Sequence, residues 1–559
     1  MYIRTKLISW ALLKSLKKLA FIGALQAALA IGLALQIKTI LGSQLISANG
    51  FDIKILIPFA IAASIGGLKW LERVEAERVG QNYVHAIRLS LFDHLSRLSF
   101  RTLARKRKGP LLLRFMNDLT ALRQWVSIGL SRLLVSSIVF VSGLTALFFI
   151  NRHIAIWLIG LFLLGAFCAF LLGKFVNASV RDARKRRSIL ASGITEKIIT
   201  MPSIQILARR QVERRDFNRK SKRLKTAMGA RASTIGLLRG LTRMVGSLAL
   251  VLTAMIGAAD LHSGVLSPGE LFATLALISF ITPALYDLGR VYEYWHGAQI
   301  AREKIDNLLK LEPLILSPVK GKRSRISGLD IRFKAVKFLP ALRRIDVVAK
   351  RGEKIALFGS NGAGKSTLLH LIMRLDEANS GRILLGGTSI KNFGIGSLRR
   401  TITLASSDDP LFKGNVGKNL CYPGTVTDLN QAKPLLNALG MDIDDPKSAF
   451  WKDRPVKEAG ANLSKGEKSA IVIARALLMK PKILLLDEVD VHLDKSMKSA
   501  FFKVLGGFKG TVIAATHDPE FMTLCTKVWK LERGRISVSD TSGSKPTIHS
   551  FVPKKSNRI

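Results

Sequence analysis

Six runs of apolar residues in the first half of the chain limit what it can fold into more than any other feature. They cover residues 19–37, 55–68, 133–150, 154–173, 244–259 and 271–285. An α-helix rises about 1.5 Å per residue, so roughly 20 such residues cross the hydrocarbon core of a bilayer. The second, fifth and sixth runs are short for that and need flanking residues, snorkelling Lys or Arg included, to complete a crossing. The expectation is an all-α membrane domain of six spans.

The chain starts with Arg4, Lys6, Lys14, Lys17 and Lys18 ahead of the first run, a pattern shared with secretory signal peptides. The run is long for a signal peptide and further spans follow it, so residues 7–16 read instead as a basic amphipathic helix on the cytoplasmic face. Connections 43–52, 151–153 and 260–268 are brief and nearly free of Lys and Arg, whereas 69–132 and 174–243 are long, basic and rich in helix formers. Positive charge marks cytoplasmic loops, so both long connections and both termini are expected in the cytoplasm, with an even number of crossings. A bacterial plasma (inner) membrane is the expected location. Polar residues near span ends, among them Gln26, Gln36, Tyr286 and Asp287, fit either a transport pathway or helix packing.

The 86 Lys and Arg outnumber the 39 Asp and Glu, for a formal charge of +47. In a soluble protein that excess would point to nucleic acid. Here clusters such as 101–108 and 181–187 flank the apolar runs, which favours loops lying on anionic lipid, and no nucleic-acid partner is expected. Cys168, Cys421 and Cys525 are far apart and lack metal-ligand spacing, so they read as structural bystanders.

Beyond about residue 300 the composition becomes that of a soluble α/β domain. Pro313, Pro318 and the basic stretch 320–325 read as a linker. The expected division is a membrane domain over 1–312, a linker over 313–325, an α/β P-loop ATPase domain over 326–540 with a helical subdomain around 429–478, and a loose basic tail over 541–559. Gly359-Ser360-Asn361-Gly362-Ala363-Gly364-Lys365-Ser366 fits the phosphate-binding loop pattern in full, with a strand pattern before it and a helix pattern from Thr367 after it. Glycines let backbone N–H groups close around phosphate oxygens, Lys365 supplies a point charge and Ser366 a hydroxyl for magnesium. Ile483 to Leu486 form an apolar strand ending in Asp487 and Glu488, suited to an outer magnesium contact and to polarising an attacking water. Leu463-Ser464-Lys465-Gly466-Glu467 opens a helical run, where the serine is either a plain N-cap or part of an anion site.

The order of these three motifs resembles the ATP-binding cassette family, specifically exporter half-transporters. Val456 to Gly460 resembles the exporters' coupling loop, Leu493-Asp494 the D-loop end, Thr516-His517-Asp518 the switch histidine, and residues 109–118 the first cytoplasmic connection. The resemblance implies ATP and Mg2+ as cofactors and a second half-transporter chain as partner, a homodimer being favoured over a heterodimer. Each ATP would be sandwiched between the phosphate loop of one chain and Ser464 and Gly466 of the other. Glu488 and His517 would serve hydrolysis, with His517 at the γ-phosphate, and the cycle would drive export of an unidentified substrate by alternating access.

Three positions depart from the family pattern. Ser407 stands where a magnesium-reaching glutamine is usual, and either Asp408 or a water would have to substitute. Lys465 and Glu467 replace the usual glycine and glutamine, and Glu467 would be repelled if it pointed at a phosphate. The family's adenine-stacking aromatic falls at Pro340, and Phe338 two residues earlier reads as either a core strand residue or the stacking ring. These departures keep open a slow-hydrolysing or regulatory subunit of a heterodimer. The six apolar runs oppose a soluble cassette protein acting on nucleic acid.

Overall fold

A computed structural model describes residues 10–42, 56–104, 106, 111–112, 114–313, 326–424 and 428–540. Residues 7–9, the connection 43–52, Ile55, residues 107–110, Leu113, the linker from 314 to 325 and the tail from 541 lie outside the described residues. The chain forms two compact units. One holds the described residues of Met1–Ser96 and Lys106–Glu312, the other those of Arg97–Arg105 and Pro313–Ile559.

The first unit is built on six long helices: α1 (Trp10–Gly42), α2 (Leu56–Ser96), α3 (Ser131–Ile150), α4 (Arg152–Ile199), α5 (Arg210–His262) and α6 (Pro268–Leu309). Among the described residues, five helical stretches, those ending in α1, α3, α4, α5 and α6, are long and apolar enough to cross a membrane. The apolar part of α2 is shortened by Lys69, Glu72 and Arg73, which is why the second run looked short. Two of the turns between these helices are closed by side-chain caps. Asn151 alone separates α3 from α4 and accepts the Ile154 N–H, and Ser267 with Glu270 forms a capping box ahead of Pro268.

At 48 and 53 residues, α4 and α5 extend for about 72 and 80 Å, more than twice a bilayer core. Close approach between helices depends on absent side chains. A Cβ on Gly257 would lie 2.3 Å from Leu271, and one on Gly246 would lie 2.6 Å from Thr282 and Tyr286. Polar groups in this region pair across helices: Gln26 Nε2 donates to Glu72 at 3.1 Å and Arg132 meets Asp287 at 3.3 Å. Tyr286 lies beneath Arg243. Each of these contacts ties one helix to another.

The second unit carries a six-stranded sheet. In chain order its strands are β3 (Lys354–Phe358), β5 (Ile402–Ser406), β6 (Ile483–Asp487), β7 (Thr511–Ala515), β8 (Lys527–Glu532) and β9 (Arg535–Asp540), following the antiparallel pair β1 (Ile331–Phe338) and β2 (Leu342–Ile345), to which β4 (Ser380–Leu385) is added. The spatial order is β9-β8-β3-β7-β6-β5, parallel except at β9. β6 and β7 are buried along their whole length, as expected for strands covered on both faces. One apolar cluster packs the helical subdomain against the sheet and the other packs β1, β2 and the phosphate-loop helix against it. The helix Phe100–Ala104 belongs to this unit by its contacts. Phe100 N–H donates to Leu375 O at 2.9 Å, Arg101 N–H donates to the Asp376 carboxylate at 3.2 Å, and the Phe100 ring meets His370 edge-on at 4.8 Å.

Candidate active site

In a parallel sheet the loops that leave the carboxyl ends of neighbouring strands share one edge, and ligands bind there. The order β3-β7-β6-β5 therefore sets side by side the phosphate loop after β3, His517 after β7, Glu488 after β6 and Ser407 after β5. The loop from Gly359 to Gly364 turns through left-handed conformations at Gly362 and Gly364, and α7 (Lys365–Ile372) begins at Lys365. Gly359 has no room for a side chain, since a Cβ would sit 2.5 Å from Leu531 O. Ala363 N–H closes the turn on Ser360 O at 3.0 Å, with the exposed Asn361 at its tip and Thr367 in the first turn of α7.

Lys365 is buried, and its ammonium donates to Gly359 O at 2.8 Å. The same nitrogen lies 3.0 Å from His517 Nε2 and 3.3 Å from Glu488 Oε1. Burial and the neighbouring Lys365 charge hold His517 below the ordinary imidazole range, so near neutral pH the ring is uncharged and Nε2 accepts from the ammonium. Glu488 reaches Lys365 from a left-handed backbone, φ 52°, a conformation that costs a non-glycine residue on the order of 1 kcal/mol. Ser366 Oγ donates to Asp487 Oδ1 at 3.1 Å. Burial pushes the Asp487 carboxyl up, partly offset by that hydrogen bond, and Asp408 pushes it further in the same direction.

Ser407 donates its N–H to Asp487 O at 3.2 Å, so its short side chain stands at the carboxyl end of β6. Asp408, next to it, is exposed, and its charge is felt at Asp487.

Ser464, Lys465, Gly466 and Glu467 open α8 (Lys465–Leu478) in the helical subdomain. Among the described residues they make no hydrogen bond or ion pair with Lys365, Asp487, Glu488 or His517. Ser464 Oγ accepts the Glu467 N–H at 3.1 Å, and Glu467 Oε2 accepts the Ser464 N–H at 2.7 Å, a reciprocal capping box. Glu467 Oε1 takes a 2.6 Å bond from Arg454 Nη1. The glutamate is thus folded back on its own helix start and paired, which removes the repulsion that its charge would bring beside a phosphate. Gly466 is required because His492 O would lie 2.8 Å from a Cβ. Asp494 accepts the Met497 N–H at 2.8 Å and caps the helix Lys495–Gly507.

Sequence reasoning missed Arg454, Phe100 and His370. The Ser-x-x-Glu spacing of Ser464 and Glu467 was a readable sign of the capping box. Phe338 is 8% exposed and packs in the core, as its place on β1 implied.

Two family models match the chain. One, described as ABC transporter, covers residues 342–490, and the other, described as ABC transporter transmembrane region, covers residues 19–285. The ATP-dependent lipid A-core flippase of Desulfotalea psychrophila is 25% identical over 521 residues, 91% of this chain and 91% of that protein. A putative export ATP-binding/permease protein of Rickettsia felis is 26% identical over 476 residues, 82% of this chain and 81% of that one. A solved bacterial Atm1-family ABC exporter with ATP bound shares the fold with a TM-score of 0.84 at 18% identity, over 94% of this chain and 95% of the other. A transmembrane region and an ATP-binding cassette fused in exporter order make this chain a member of the ABC transporter family, an exporter half-transporter that couples ATP hydrolysis to transport.

Proposed function

We propose that two such chains pair in a bacterial inner membrane with all termini in the cytoplasm, the membrane domain ending near residue 312 and the cassette spanning 326–540. Each ATP lies between Lys365 and the phosphate loop of one chain and Ser464, Lys465 and Gly466 of the other. Glu488 polarises the attacking water, His517 contacts the γ-phosphate, and Asp494 belongs to the loop that meets the opposite cassette. The meeting of Lys365, His517 and Glu488 around one ammonium carries this reading.

The donor set at Ser366 and Asp487 fits magnesium. A hydroxyl and a carboxylate lie together, and a carboxyl pushed up by burial is one that a nearby dication would hold ionised. Ser366 and Asp487 would hold magnesium, which would supply positive charge against the negative charge that develops during phosphoryl transfer. Neutral His517 can donate from one ring nitrogen while the other accepts from Lys365, which fixes the ring for a phosphate contact.

A homodimer is favoured because each chain holds its own lysine, acid and histidine. Ser407 supports a second reading, a slow subunit in a heterodimer. Purified full-length chain in lipid should hydrolyse ATP, and Glu488→Gln should lower the rate about 100-fold or more. Activity that appears only after a second half-transporter is added would favour the heterodimer, and a wild-type rate in the Gln variant would sink the role given to Glu488.

A further inference from the structure

A buried cation without an acid of its own lies on the cassette, at the end of α7 away from Lys365. Arg374 follows α7 in a left-handed conformation, φ 49°, and is 6% exposed. Its Nη1 donates to the carbonyl oxygens of Ile390, Lys391 and Phe393 at 3.3, 3.4 and 3.3 Å. Among the described residues no carboxylate forms an ion pair with it. Glu377, whose charge it feels, is taken by Lys391 at 3.2 Å, and Asp376 accepts the Arg101 N–H. Arg399 brings a second guanidinium, which donates to Arg374 O at 3.2 Å. Burial pushes both guanidinium groups down, and the Arg374 charge pushes Arg399 further the same way. Buried charge of one sign is costly unless a counter-charge joins it.

Arg374 lines a cavity of about 350 Å³, at the small end of ligand pockets, with Arg382, Lys391 and Asn392 around it. Arg382 and Asn392 are exposed, and neither side chain has a partner among the described residues. We propose that this cavity is a further anion site of the cassette, separate from the phosphate loop, which takes a compact soluble phosphate monoester and firms the seat of the Phe100–Ala104 helix. Arg374, Arg382 and the Asn392 amide are three separate donors. A phosphate monoester offers them three free oxygens where a carboxylate offers two, and hydrogen bonds between opposite charges are the strong ones. The cavity belongs to the α/β domain and not to the membrane spans, which favours a soluble ester over a lipid headgroup. The residues that follow Arg374 carry the effect to the helix, because Leu375 O and Asp376 accept the Phe100 and Arg101 N–H groups.

Full-length chain in phosphatidylcholine nanodiscs, titrated calorimetrically with glycerol 3-phosphate at about 0.1 M salt, should bind with a dissociation constant of about 1 mM or tighter. No binding would overturn the inference. Arg374 also holds its own turn together, so the test falls on exposed Arg382. Arg382→Gln should weaken binding at least about fivefold, with Asn392→Ala as a second variant in the same direction. Lys365→Ala, which disables the phosphate loop, should leave the affinity within about twofold. The reverse pattern, loss with Lys365→Ala and none with Arg382→Gln, would place the ester in the phosphate loop and overturn the site. Adding phosphatidic acid to the nanodiscs should leave the affinity for the soluble ester unchanged. Competition by that lipid would overturn the soluble assignment. At about twice the dissociation constant, amide exchange at Phe100 and Arg101 should slow about threefold, the factor 1 + [L]/Kd for a seat that opens only when the cavity is empty. Unchanged exchange would overturn the link to the helix.

Discussion

At Glu467 a carboxylate follows the signature serine, and both of its oxygens are committed to Ser464 and Arg454. Burial alone would push this acid up, but the Arg454 and Ser464 hydrogen bonds outweigh burial and leave it below its usual 4.5. An acid held lower in the fold than in the unfolded chain adds stability above about pH 4.5, and that stability drains away as pH falls through the lowered value. Thermal melts between pH 6 and 3 should show this loss, and Glu467→Gln should flatten its share of the slope. Glu467→Ala, which also empties the capping box, should cost about 1 kcal/mol more than Gln in a denaturant titration, because glutamine can still reach the Ser464 N–H. Equal losses from Gln and Ala would show that charge alone matters. The capping half of this site was legible in the chain, since Ser464 and Glu467 have the right spacing. Arg454 was not, because nothing local in the twelve residues between it and Glu467 says that the chain folds back.

Elements with a strong local pattern were readable. The run Ile483 to Leu486 made a buried strand, and the glycines before Lys365 made a phosphate loop. The short helix Phe100–Ala104 had no such signal, for five residues in a basic stretch show no periodicity, and its contacts with Leu375, Asp376 and His370 are made across more than 260 positions. The resemblance instead drew attention to residues 109–118, where Asp118 pairs with Lys304 at 3.7 Å. A double-mutant cycle on Phe100→Ala and His370→Ala, read by chemical denaturation of the full chain, should return a coupling of about 0.5–1.5 kcal/mol, as edge-on ring pairs do. Additive losses would mean that the ring contact contributes nothing.

The whole molecule carries a formal charge of +47, and basic clusters flank its apolar runs. Reconstituted chain should therefore melt higher in vesicles containing anionic lipid than in neutral ones at about 0.05 M salt, with the gap shrinking near 0.5 M as screening shortens the reach of each charge. A gap that ignores salt would point to some other property of the lipid. Apolar spans and the cassette pattern made both halves legible from the chain alone, but the assignment of Arg97–Arg105 to the cassette side was not, because membership in a folded unit is set by contacts and not by order along the chain. That membership means the cassette is stitched from two separate pieces of polypeptide, so a protease nick within 314–325 would leave it still threaded to the rest of the chain through Ser96 and Lys106. A fragment beginning at residue 326 would lack one of its own parts.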